Sequence, residues 1–148
     1  MRVVVQRVKR AEVRVGEERV AAIGPGLLLY AAFCRQDREA DLVWMAEKVV
    51  SLRVFEDDAG KMNRSALDIG GQLLVVSQFT LYGDARKGRR PSFDMAAPAE
   101  TARSRFEKFV DRLRPSGLII QTGRFQEAMQ VESVNDGPVT ILVDSPTG

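Results

Sequence analysis

Apolar residues come in short runs along the first third of the chain. Arg2 to Val8, Ala11 to Val15, Arg19 to Ile23 and Leu27 to Phe33 are rich in Val, Ile and Leu, and Gly16-Glu17-Glu18 and Gly24-Pro25-Gly26 punctuate them. Such runs between turn residues predict strands in a meander. From Asp37, which suits an N-cap, Leu42, Ala46, Val49 and Val50 recur at helical spacing, so a helix is expected to about Leu52. Trp44 falls off that stripe, as an interface residue or one on a second packing face would. Glu56 to Leu67 is polar, with a turn at Asp57-Asp58-Ala59-Gly60, and Leu73-Leu74-Val75-Val76 predicts a buried strand. Pro98 suits the first turn of a second helix, whose stripe of Ala102, Phe106, Phe109, Val110 and Leu113 ends at Pro115 and Gly117. Leu118 to Gln121, Met129 to Val134 and Val139 to Val143 predict three more strands. Strands in groups separated by helices define an α+β fold in which two main helices cover an antiparallel-dominated sheet system.

A length of 148 residues, 45% of them hydrophobic, fits one domain spanning 1–148, with no linker or repeat. Charge breaks the opening apolar run too early for a signal peptide, and no stretch approaches the roughly 20 apolar residues of a membrane span, so a cytoplasmic protein is expected. Cys34 is the sole cysteine and histidine is absent. Together these exclude an intramolecular disulfide, Ser-His and Cys-His catalysis, and zinc sites built on imidazole. No metal or cofactor is expected. The net charge of +2 is too small to argue for nucleic-acid binding by itself.

Local clusters carry the candidate chemistry. Ser77-Gln78-Phe79-Thr80 sits where the buried strand ends, a place where backbone N–H groups leave the ladder and can face a cleft. The same residues also fit an ordinary strand end, and Thr80 has no histidine or nearby lysine to activate it. Asn135-Asp136-Gly137-Pro138, between two expected strands, reads as a tight turn. Arg86-Lys87-Gly88-Arg89-Arg90 is a compact basic segment that suits phosphates or a solvated loop. Phe125 and Met129, four residues apart, would share one face of a helix, whereas Met129, Val131 and Ser133 would share one face of a strand. Glu56, Asp57 and Asp58 are adjacent on a turn, where carboxylates rarely converge on one substrate atom.

Taken together, Ser77 to Leu81, Arg89-Arg90-Pro91-Ser92-Phe93, Gln121-Thr122-Gly123-Arg124-Phe125, Met129-Gln130-Val131 and Asn135 to Thr140 resemble the D-aminoacyl-tRNA deacylases in identity and order. Gln6-Arg7-Val8 and Gly60-Lys61-Met62-Asn63 are also similar to that family, and departures are confined to Tyr82-Gly83 and the tail Asp144 to Gly148. The resemblance implies a barrel-like core and a homodimer with active sites at the interface. In it, Gly137-Pro138 of one chain, joined by a cis bond and held by Arg7, reaches a pocket formed around Ser77, Gln78, Phe79 and Thr80 of the other, walled by Phe125 and Met129. The substrate implied is the aminoacylated 3′ end of tRNA. The Gly137-Pro138 carbonyls would accept hydrogen bonds from its ammonium group and exclude an L side chain, while glycine, including glycine mischarged on tRNA-Ala, would pass. Amides of Phe79 and Thr80 would stabilise the oxyanion, a 2′-hydroxyl of the RNA would assist, and Arg86, Lys87, Arg89 and Arg90 would meet phosphates. Neither membrane nor DNA is an expected partner. An editing module of the same fold acting on L-amino acids and a non-enzymatic RNA-binding dimer are the alternatives.

Overall fold

The computed structural model describes residues 1–146; Thr147 and Gly148, the end of the expected domain, lie outside the described residues. Strands β1 (Arg2–Val15), β2 (Glu18–Ile23) and β3 (Gly26–Ala32) form the expected meander, followed by helix α1 (Glu39–Ser51). A two-stranded hairpin of β4 (Phe55–Glu56) and β5 (Met62–Arg64) and a single-turn helix α2 (Ala66–Ile69) lead into β6 (Gln72–Ser77). Helix α3 (Ala99–Leu113), β7 (Ile120–Thr122) and β8 (Gln130–Asp144) complete the chain.

The main sheet has the order β2-β1-β3-β6-β7, with β8 also paired to β1. β1 is antiparallel to β2, β3 and β8, whereas β6 is parallel to β3 and β7. The sheet curls towards closure: Arg124, just past β7, forks onto Glu18 at the start of β2 at 2.7 and 3.0 Å, and the Gly24 amide donates to the Gln72 side chain at 2.9 Å. The fold is therefore α+β around a barrel-like sheet, as expected.

β3 and β6 are covered on both faces, which is why they read as continuous apolar runs. Leu27, Leu29, Ala31, Leu73 and Val75 pack under α1 and α3 with Leu42, Met45, Val49, Phe106 and Phe109. Leu28, Leu74 and Val76 face the other way and pack with Val8, Ala11, Val13 and Ile23. Trp44 packs, partly buried, against the first core, one of the two alternatives for it, and carries Lys48 5.1 Å from its ring centroid.

Two local expectations are corrected. Arg2 to Val8 and Ala11 to Val15 are one strand, because β8 pairs with both halves and carries the chain through exposed Lys9 and Arg10. Asp37 is not the cap of α1, which starts after Arg38. Its buried carboxylate instead accepts from the Cys34 amide at 2.8 Å, the Cys34 thiol at 3.1 Å and the Met1 ammonium. The turn expected at Asp57 to Gly60 is present and forms the tip of the β4–β5 hairpin: the Gly60 amide donates to Asp57 O at 3.0 Å, and Asp57 Oδ1 takes the amides of Ala59 and Lys61.

Phe109 joins α3 to the sheet, fully buried and edge-on to Phe33 at 6.4 Å between ring centroids. Phe109→Ala should cost about 3–5 kcal/mol in urea unfolding; a loss under about 1 kcal/mol would contradict this packing.

Candidate active site

β6 ends at Ser77, and the Gln78 amide still donates to Ala31 O of β3 at 2.8 Å. The chain then tightens into a single 3₁₀ turn, Phe79–Tyr82, in which the Leu81 amide donates to Gln78 O at 3.2 Å and the Gly83 amide to Thr80 O at 2.9 Å. A helical turn leaves its first amides without internal acceptors. Here those are Phe79 and Thr80, whose amides donate to no described residue. Thr80 Oγ1 is held by the Gln78 side chain rather than by a base.

Beside this turn lies a cleft of about 800 Å³. Ser77, Gln78, Phe79, Phe125 and Met129 line it together with Val76 and Val131, whereas Thr80 does not line it. Pro98, Ala99 and Ala102, at the start of α3, also line it. Phe125 and Met129 sit on the turn between β7 and β8, not on a helix. Phe125 packs on Phe106 at 6.0 Å and carries the Arg103 guanidinium 4.7 Å from its ring centroid, while Arg103 also donates to Gln126 at 2.9 Å. Gln126 has φ of 61°, an uncommon angle for a residue with a Cβ. Phe93, Gln126 and Glu127 also line the cleft and were not picked out from the sequence. Phe93 packs edge-on against Phe79 at 5.2 Å, so the motif Arg89 to Phe93 held the one signal that pointed there.

Arg7, Gly137 and Pro138 do not line this cleft. Asn135 to Pro138 is not a tight turn either: β8 runs through it, and the Gly137-Pro138 bond is cis. Gln6 pairs with Thr140 and Val8 with Asn135, so Asp136 to Val139 bulge from the ladder opposite Arg7 alone. The buried Arg7 guanidinium donates to Asp136 O at 3.0 Å and to Val54 O at 2.7 Å, and lies 3.7 Å from the Asp136 carboxylate. Gly137 has φ of 119°, and a Cβ there would stand 2.6 Å from Arg7 Nη2. Gly137 and Pro138 themselves are exposed.

The basic segment forms an exposed loop closed by the Asp84–Ser92 bridge. Arg86 is not free within it. Its fork donates to Asp84 at 2.6 and 2.8 Å, and these bonds hold the Asp84 carboxyl down to about 2. Among the described residues Lys87, Arg89 and Arg90 have no carboxylate partner.

Comparisons with known proteins identify the family to which this curled α+β chain belongs. A family model described as D-Tyr-tRNA(Tyr) deacylase matches residues 4–144. A D-aminoacyl-tRNA deacylase of Chlorobaculum parvum is 57% identical over 99% of both chains, and one of Symbiobacterium thermophilum is 59% identical over 98% of this chain and 96% of its own. The chain belongs to the D-Tyr-tRNA(Tyr) deacylase family. Among solved structures, the "c-Myc DNA Unwinding Element Binding Protein" superposes with a TM-score of 0.93 at 43% identity, covering 99% of each chain. A structure described as that of "a probable eukaryotic D-amino acid tRNA deacylase" superposes at 0.82 with 18% identity, over 96% of this chain and 97% of its own, and shares the fold.

Because the folded carboxyl of Asp84 lies below its ordinary value, the Asp84–Arg86 pair should persist as pH falls and release only through about pH 2. NMR titration should place the Asp84 midpoint at about 2, and Arg86→Ala should return it towards roughly 3.9. An ordinary midpoint in the unmodified protein would mean that Arg86 is free.

Proposed function

We propose that the cleft holds the aminoacylated 3′ end of tRNA and that the ester is hydrolysed there without a protein nucleophile. Family membership makes the chain a hydrolase of D-aminoacyl-tRNA, acting on the ester bond. The observation that carries the assignment to this cleft is the pair of unpartnered amides at Phe79 and Thr80, at the start of a turn whose first residue, Phe79, lines it directly after Ser77 and Gln78. Water adds to the ester carbonyl carbon, and the oxygen that gains charge accepts hydrogen bonds from the two amides. Collapse then breaks the bond to the ribose 3′ oxygen, which takes up a proton, and releases the D-amino acid and free tRNA. The neighbouring 2′-hydroxyl orients the water, a service that needs only proximity. Ser77 and Gln78 set the turn and the rim.

Selection against L-amino acids falls to Gly137 and Pro138 of a second copy. Three observations support completion in trans: the dipeptide is exposed, it stands on a bulge fixed by Arg7, and it lies outside the cleft of its own chain. Association has an obvious surface. β8 offers 15 residues with one edge on β1 and the other without a strand among the described residues, a template that folded proteins cover or pair. Half-buried Ile141 and Val143 and exposed Leu142 add apolar area on that strand. The carbonyls of Gly137 and Pro138 accept hydrogen bonds from the substrate ammonium and leave no room for an L side chain, whereas glycine passes, on tRNA-Ala included. Lys87, Arg89 and Arg90 supply phosphate contacts, with Arg86 joining only when Asp84 releases it. These contacts position the RNA and carry no chirality. A substrate of this kind fits a cytoplasmic enzyme, and neither DNA nor membrane enters the proposal as a partner.

The purified protein should release D-tyrosine from D-Tyr-tRNA and spare L-Tyr-tRNA. Hydrolysis of the L form alone would favour an editing module for L-amino acids, and binding without hydrolysis a passive RNA-binding dimer. Gly137→Ala should lower kcat/KM for D-Tyr-tRNA by about tenfold or more, a barrier change of about 1.4 kcal/mol, through displacement of the bulge by the new Cβ. Unchanged rate and D/L ratio would remove Gly137 from the site.

A further inference from the structure

Gly123 touches no ligand in this account, and its backbone angle does not demand glycine. Its neighbour does. A Cβ built at Gly123 falls 2.7 Å from Met129 Sδ, closer than side-chain carbons approach sulfur, with Met129 Cε and Val13 Cγ1 next at 3.8 Å. The Gly123 amide donates to Val75 O at 3.0 Å and extends the β6–β7 ladder by one residue beyond the Val75–Thr122 pair. The backbone at this position is thereby tied to the sheet, so any collision must be relieved by the thioether. Met129 lines the cleft with Val76 and Val131, whereas Gly123 does not line it.

We infer that Gly123 is a specificity-determining position: by having no side chain it lets Met129 lie back against the β6–β7 ladder, and so sets how large an amino-acid side chain the cleft accepts. The inference rests on the assignment of this cleft to the aminoacyl end. Methionine suits the part, because an unbranched thioether with several rotatable bonds moves readily when crowded. A methyl group at position 123 drives it forward and shortens the cleft, while the amides of Phe79 and Thr80, on a different strand end, stay where they are. Large side chains lose their place and small ones keep theirs.

The test compares D-Tyr-tRNA with D-Ala-tRNA in the full-length protein. Gly123→Ala should lower kcat/KM for the D-tyrosyl substrate about tenfold or more relative to the D-alanyl one. Adding Met129→Ala to that variant should restore the ratio by removing the crowded thioether. Equal losses for both substrates, or a ratio that the second substitution leaves depressed, would overturn the inference and leave Gly123 a purely structural residue. If Gly123→Ala does not fold, Met129→Ala and Met129→Phe alone decide the matter: the first should raise the D-tyrosyl to D-alanyl ratio, the second should lower it, and no change in either overturns the inference. Failure of the unmodified protein to hydrolyse either substrate would instead count against the reading of the cleft.

Discussion

β1 is hydrogen-bonded along both edges, to β2 and β3 on one side and to β8 on the other, and the functional surfaces hang from it at one remove. Through β3 it places β6, whose last residue, Ser77, sits beside Ala31 and whose successor still bonds to that residue before the chain turns away. Through β8 it places the bulge of Asp136 to Val139, forced out because five steps of β8 cover two of β1. Arg7 projects from β1 into the core side and secures that bulge with a buried guanidinium shared by Asp136 and Val54. A buried fork of this kind must be satisfied, so the bulge cannot relax without stranding a charge.

Chemistry without histidine follows from what the end of β6 offers. Two amides free of internal acceptors are a fixed pair of dipoles, already oriented before a substrate arrives, and they need no change of protonation to act. Thr80, the obvious nucleophile by residue type, has its hydroxyl occupied by Gln78. Among the described residues Glu127 is the one carboxylate lining the cleft, and it stands 4.0 Å from Arg124. On the proposed reading, the protein side of the cleft holds the developing oxyanion and the proton is left to the substrate's own ribose.

Element types were legible wherever one residue's surroundings follow from its near neighbours in sequence. The stripe of Ala102, Phe106, Phe109, Val110 and Leu113 is buried in full, and Leu73 to Val76 is a doubly covered strand. Continuity was not legible. Lys9-Arg10 and Asn135 to Pro138 both look like interruptions, and both are carried through by a partner strand distant in sequence. Asp37 has the composition of a helix cap but is claimed by the Met1 ammonium and Cys34. At the site, Ser77 to Phe79, Phe125 and Met129 do converge, whereas Pro98 and Ala102 reach the cleft only through the packing of α3, Gln126 through the β7–β8 turn and Phe93 through its contact with Phe79. Gly123 is the plainest case: its role depends on one sulfur atom six residues away.

The central claim is that the protein supplies an oxyanion cradle and the RNA supplies the hydroxyl that manages the water. Single-turnover hydrolysis of D-Tyr-tRNA whose terminal adenosine lacks the 2′-hydroxyl, with the D-tyrosine esterified at the 3′ position, tests it most directly. The deoxy substrate should bind with nearly unchanged affinity and turn over at least about a hundredfold more slowly, the lower end of what a positioned proton-transfer group contributes. Normal turnover of the deoxy substrate would contradict the account and return the search to a nucleophile or base in the protein itself.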